Sequence, residues 1–236
     1  MRYLAFVLVL LGATQTFSQN LTATQVLDKA ISYHDPNNQW KSLNASFTIV
    51  METPKSSDRK SSIHLNIPKE IFELEVEKDG AQYAYLFEKE NCTTSLNGSM
   101  EVSEDERKKY RLTCERGNMM RNYYTYLYGL PMKLKDPGTS LDSKVEKRAF
   151  KGKEYLVLKV TYDENVGDDI WYFYFDPKTF AMEVYQFYHD ESKNDGEYIL
   201  LKDMEEINGI KMPKTRAWYY NSDDTYLGTD ILGKAD

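Results

Sequence analysis

Hydrophobic and polar positions follow two rhythms along this chain, and the change from one to the other marks its elements. Near the N-terminus, Val26, Leu27, Ala30 and Ile31 recur at helical spacing behind polar capping residues, which predicts a helix of about three turns over Thr22–Tyr33. His34-Asp-Pro-Asn-Asn38 ends it, because Pro36 disfavours helical backbone at Asp35 and the asparagine pair suits a turn. From Leu43 the period drops to two. Phe47–Met51 and Ile63–Ile67 read as strands on either side of a polar turn at Pro54–Asp58. In Phe72–Glu77, Phe72, Leu74 and Val76 point one way and three glutamates the other, the mark of a strand with one dry and one wet face. Asp79-Gly80 is a strong turn signal, and Tyr83–Phe87 returns as the partner strand.

The middle of the chain changes character. Ser103–Tyr110 begins with a capping residue and an acidic first turn, and Arg121–Tyr128 ends at Gly129; both predict helices. Strands resume at Val145–Phe150, Tyr155–Tyr162, Ile170–Phe175, Ala181–Tyr188, Glu197–Met204 and Thr215–Tyr220. About ten strands with helices confined to the start and the middle give an α+β layout, a large antiparallel sheet covered by a few helices. No repeat, low-complexity tract or linker divides it, so residues 19–236 read as a single domain.

Ahead of that domain, Leu4–Ala13 is almost wholly apolar, follows Arg2 and leads into polar Thr14–Gln19. This is the three-part layout of a secretory signal peptide, too short in its apolar part to remain as a membrane span. Small residues at Thr16 and Ser18 suit the positions a signal peptidase reads, which places cleavage after Ser18. No cysteine lies there to accept a lipid, so the expected product is soluble and periplasmic or secreted. Acidic residues outnumber basic ones 37 to 30, and loss of the leader with Arg2 adds to the excess. That balance opposes binding to nucleic acid or to anionic membranes. The two cysteines, Cys92 and Cys114, are most simply read as one disulfide in an exported chain.

Templates for catalysis find little purchase. His34, His64 and His189 fall in an expected turn, a strand and a strand end, without metal-ligand spacing. There is no GxSxG elbow, phosphate loop or SxxK motif. The acidic stretches Asp163–Asp169 and Asp190–Gly196 lack the ligand spacing of a calcium loop and read as hairpin turns. The chain is therefore expected to be no enzyme and to need no metal or cofactor. Sequons stand at Asn20, Asn44, Asn91 and Asn97, for use only in a host that glycosylates.

Aromatic content is the unusual property: nineteen tyrosines, ten phenylalanines and three tryptophans, gathered in runs such as Tyr123–Tyr128 and Trp171–Phe175. In the second run, alternation sends Trp171, Phe173 and Phe175 to one face and Tyr172 and Tyr174 to an amphipathic outer face. A filled core explains this, and so does a cavity lined for an apolar ligand.

Four blocks carry a resemblance: Val26–Pro36, Arg121–Pro131, Asp169–Lys178 and Asn208–Pro213. Together they resemble a family of uncharacterised secreted proteins of the Bacteroidota, which in turn looks like the LolA/LolB-type lipoprotein-carrier superfamily. The resemblance implies an incomplete β-barrel closed by the N-terminal and mid-chain helices, with an apolar interior that accepts acyl chains. Periodicity then selects Phe72, Leu74, Leu156, Leu158, Trp171, Phe173 and Phe175 from strands, with Tyr124 and Leu127 from the covering helix, as the residues that would line it. The implied partner is a lipid or other apolar small molecule. The alternative is a structural protein with a filled core that contacts another envelope protein through Tyr123–Tyr128 or Tyr219 and Tyr220.

Overall fold

A computed structural model describes residues 21–235. The expected leader, residues 1–18, and the Asn20 sequon lie outside them. Helix α1, Ala23–His34, forms where the periodicity places it, started by a reciprocal capping box between Thr22 and Gln25. His34, expected in the following turn, is its last residue and is buried. Asp35 makes the stop, its carboxylate accepting from the backbone amides of Gln39 and Trp40 at 2.7 and 2.9 Å.

Five strands follow as a meander: β1 (Asn44–Thr53), β2 (Ser56–Asn66), β3 (Ile71–Lys78), β4 (Ala81–Glu88) and β5 (Asn91–Leu96). Helices α2 (Glu104–Tyr110) and α3 (Cys114–Gly129) come next. A second meander contains β6 (Thr139–Phe150), β7 (Lys153–Tyr162), β8 (Ile170–Phe175), β9 (Met182–Tyr188), β10 (Glu197–Ile207), β11 (Ile210–Tyr220) and β12 (Tyr226–Lys234). β1 and β12 pair antiparallel and weld the two meanders into one twelve-stranded sheet that runs from β5 at one edge to β6 at the other. The α+β half-barrel is thus confirmed. Its topology also explains the mid-chain helices: successive strands β5 and β6 lie at opposite edges, so the chain between them has to cross the open side.

The structure corrects several sequence expectations. There are twelve strands among the described residues rather than ten, because β5 and β12 were not foreseen. The turn expected over Pro54–Asp58 shrinks to Pro54 and Lys55, with Ser56–Asp58 already in β2. Helix α3 starts seven residues before Arg121, and Asn208-Gly209 is a hairpin turn that lengthens β10 and β11.

The main apolar core fills the concave side of the sheet beneath α1 and α3, and Phe72, Leu74 and Val76 enter it as their alternation requires. The outer face of the β6–β10 half departs from expectation. Tyr172 and Tyr174 are buried there with Tyr155, Val157 and Val184 in a second apolar cluster rather than left on an amphipathic surface. Charged side chains cover them: the Arg148 guanidinium lies 4.1 Å from the centre of the Tyr172 ring, and Lys159 5.4 Å from it.

Candidate functional site: a cleft under helix α3

Helix α3 is the element that governs access to the concave face. Thr113 caps it, accepting from the Arg116 amide at 3.1 Å, and a disulfide from Cys92 on β5 fastens its first residue, Cys114. Gly117, Met120, Tyr124, Leu127 and Tyr128 form its buried stripe. Gly117 lets the helix lie close on β4: a Cβ there would stand 2.8 Å from the Tyr85 ring and 2.9 Å from that of Phe87.

The opposite flank of α3 looks into a cleft of about 810 Å³. Leu65, Ile71 and Phe72 give it one apolar wall from the β2–β3 region, and Tyr162, Val166 and Trp171 the other from the β7–β8 region. Tyr126 stands between them from the helix, hydrogen-bonded through its hydroxyl to that of Tyr162 and edge-on to Trp171 at 5.8 Å. Burial pushes the Tyr162 phenol up to about 12 and that of Tyr126 far above its ordinary range, so both stay neutral. The rim is charged: Arg121 donates to the Lys89 carbonyl at 3.2 Å and its guanidinium lies over Phe87, while Lys133 pairs with Asp136. An apolar floor beneath a mixed-charge rim suits an amphiphile entering chain first.

All nine residues selected by periodicity meet in the concave core. Eight are buried members of the main cluster, and Trp171 packs against it half-buried. Across the strands, Leu156 faces Phe175 and Leu158 faces Phe173, as register on one face demands. Only Phe72 and Trp171 also line the cleft; the other seven are packed in the main core, five from the sheet and Tyr124 and Leu127 from α3 itself. Sequence reasoning missed Leu65, Ile71, Arg121 and Tyr126. The run Tyr123–Tyr128 carried a usable signal for the last, since helical geometry turns Tyr126 well away from Tyr124 and Leu127.

The acidic stretches have other partners. Asp195 accepts from the amides of His189 and Asp190, Asp190 caps a short 3-10 turn, Glu191 pairs with Lys159, and Asp169 pairs with His189. Among the described residues no three His, Cys, Asp or Glu side chains gather as they would around a metal ion.

This fold, a long antiparallel sheet curled over the helices between its two edges, is similar to that of a LolA superfamily protein. A solved LolA superfamily protein from Nitrosomonas europaea superposes with a TM-score of 0.52 at 13% identity, covering 92% of this chain and 95% of that one. An outer membrane lipoprotein-sorting protein domain from Vibrio parahaemolyticus gives 0.49 at 12% identity, with 91% and 92% covered. Within that architecture the chain belongs to the family of unknown function DUF6503, whose model matches residues 2–233. No functionally curated protein matches it.

Proposed function

We propose that this protein is a non-catalytic carrier that shelters the apolar chain of a lipid or of an acylated lipoprotein between α3 and the concave face of its sheet. The cleft carries the reading: it is the place where apolar side chains from both halves of the sheet reach solvent beside the covering helix. Its volume falls within the range of small-molecule sites, roughly 300–1,000 Å³. Burying about ten methylenes gains about 8 kcal/mol, the free energy of micromolar binding before ordering costs are subtracted. Because most of the candidate lining is packed side chain against side chain, a longer chain enters only as α3 lifts. The fold shared with the LolA superfamily supports the same reading, as does the resemblance to lipoprotein carriers. Export completes it: residues 1–18 are removed as a leader, and residues 19–236 form the mature half-barrel in the periplasm, where the Cys92–Cys114 bond persists.

Native mass spectrometry with lipid extraction of the purified protein, together with titration of an environment-sensitive fatty-acid probe, tests this. Bound lipid or saturable probe binding is expected, with Trp171→Arg weakening the probe at least tenfold. A protein that carries no lipid and binds no probe overturns the proposal. That result would favour the second reading, an envelope interaction protein with a filled core, for which the close packing of those seven residues in the main core speaks.

A further inference from the structure

The concave side is not uniformly apolar. Among the described residues, five buried side-chain polar atoms have no hydrogen-bond partner: Arg59 Nε, Tyr128 Oη, Tyr185 Oη, Arg216 Nε and Asp230 Oδ1. They belong to one cluster. Arg59 on β2 is opposite Met51, Met51 is opposite Asp230 on β12, and Asp230 is opposite Arg216 on β11, so the three charged residues share one row across the sheet. Tyr128 descends onto that row from α3, its ring 3.8 Å from the Arg216 guanidinium. Tyr185 on β9 approaches from the side, its ring 6.3 Å from that of Trp218, which is two residues beyond Arg216.

The usual remedy for buried charge, an ion pair, is missing here among the described residues. Arg216 is 1% exposed and Asp230 3%. Although they face each other across neighbouring strands, no ion pair of the described residues includes Arg59, Arg216 or Asp230. Arg216 instead donates through Nη1 to the Pro213 carbonyl at 2.8 Å, and Arg59 through Nη2 to the Tyr124 hydroxyl at 3.3 Å. Burial holds the Asp230 carboxyl above its ordinary range in spite of both arginines. Two permanent positive charges, Arg216 buried and Arg59 half-buried, thus share the row with a single carboxylate with which neither is paired. Such an excess is costly unless something else supplies the missing charge and lone pairs.

We infer that this cluster is a head-group site for a carboxylate, and that the lipid held by the half-barrel is a long-chain fatty acid or another amphiphile ending in a carboxylate. The inference rests on the carrier reading above. Its basis is a match of inventories. The unpartnered donors are two guanidinium N–H groups and two phenolic O–H groups, and an ionised carboxylate offers about four lone-pair sites. The cluster adjoins the cleft: Tyr185 packs 6.0 Å, ring to ring, from Trp171, which forms part of the cleft wall, so parting these two rings would join them. The carboxylate would sit inside and the chain would run past Trp171 to the cleft.

Binding of palmitic acid, its methyl ester and hexadecanol to the full mature protein tests the assignment, since the three share a chain and differ at the head. The acid is expected to bind at least tenfold more tightly than the ester or the alcohol. Tyr128→Phe and Tyr185→Phe remove hydroxyls that have no partner, so both should fold as well as the parent. Each should reduce the acid's advantage severalfold and leave ester binding unchanged, and Arg216→Met should abolish the advantage. If acid, ester and alcohol bind alike, the head-group site is refuted and the lipid reading survives. If none binds, both fall. If Tyr185→Phe destabilises the ligand-free protein and leaves the acid's advantage intact, the hydroxyl is satisfied by buried water and the assignment is wrong.

Discussion

His34 gives the fold a calculable sensitivity to acid. The ring ends α1 fully buried and is held at both nitrogens: Nδ1 donates to the Lys211 carbonyl at 2.6 Å, and Nε2 accepts from the Met182 amide at 3.0 Å. A carbonyl only accepts and an amide N–H only donates, so the contacts specify the neutral ring protonated at Nδ1. Protonating Nε2 would set two donors against each other in a fully buried site. Burial accordingly lowers the pKa from 6.5 to about 4, with the Arg216 and Lys211 charges adding to the effect and the Lys211 carbonyl opposing it. In the unfolded chain the ring takes up its proton near pH 6.5, whereas in the folded chain it resists until about 4. The unfolded state therefore binds more protons in that window, and stability is lost as pH falls through it. The full loss is about 3 kcal/mol, of which about 2 kcal/mol is gone by pH 5. For a chain of this size that corresponds to about 4–8 °C in Tm. Urea unfolding of the parent and of His34→Gln across this range measures it. The variant starts lower, because one glutamine amide cannot reach both the Lys211 carbonyl and the Met182 amide as the ring does, but its stability should fall less on acidification by about 2 kcal/mol at pH 5. His189, whose pKa is raised by its hydrogen bond to Asp169, contributes with the opposite sign in both proteins and cancels in the difference. Parallel pH profiles for the two proteins would refute the reasoning, as would a His34 ring that titrates near 6.5 by NMR.

Three further outcomes follow from particular contacts. Replacing both cysteines by serine opens a loop spanning 22 residues and should cost about 3 kcal/mol, read as a lower urea midpoint that reductant reproduces in the parent but not in the variant. Gly117→Ala gains about 1 kcal/mol of helix propensity but drives a methyl into Tyr85 and Phe87; a net loss of about 1–2 kcal/mol in chemical unfolding is expected, and a net gain would show that α3 does not press on β4. Gly196→Ala meets the Phe187 carbonyl oxygen at 2.2 Å from a backbone with φ +76°, so a loss of more than 1 kcal/mol should appear in the same assay.

How far the sequence revealed this architecture depended on what each strand has to bury. β3 was plain because Phe72, Leu74 and Val76 alternate with glutamates, and β8 because its run is wholly aromatic. β5 was invisible: Asn91-Cys-Thr-Thr-Ser-Leu96 has one large aliphatic residue, and its register comes from β4 beside it. β12 is central, paired on both sides, yet Gly228, Asp230 and Gly233 interrupt its apolar rhythm. The candidate lining residues of the strands came together because period two puts them on one face of the sheet, and Tyr124 and Leu127 join them from the buried stripe of α3. The Arg59, Arg216 and Asp230 row could not be read the same way, since charge in a strand ordinarily signals the wet face. Tyr172 and Tyr174 were assigned to the outer side, but the roof of arginine and lysine stems over them is a tertiary property.

Cys114 fixes the first residue of α3 to an edge strand, whereas the residues facing the cleft lie further along the helix, from Arg121 to Tyr126. On the carrier reading, a rod crosslinked at this end lifts as a lever. Sixteen residues make it about 24 Å long, so a tilt of about 10° about the sulfur bridge carries its far end about 4 Å and leaves its near end almost still. Enlargement of the opening is therefore graded along the helix and greatest beside Tyr126 and Lys133. Reduction of the bridge would release the pivot and turn a one-sided swing into detachment of the whole rod.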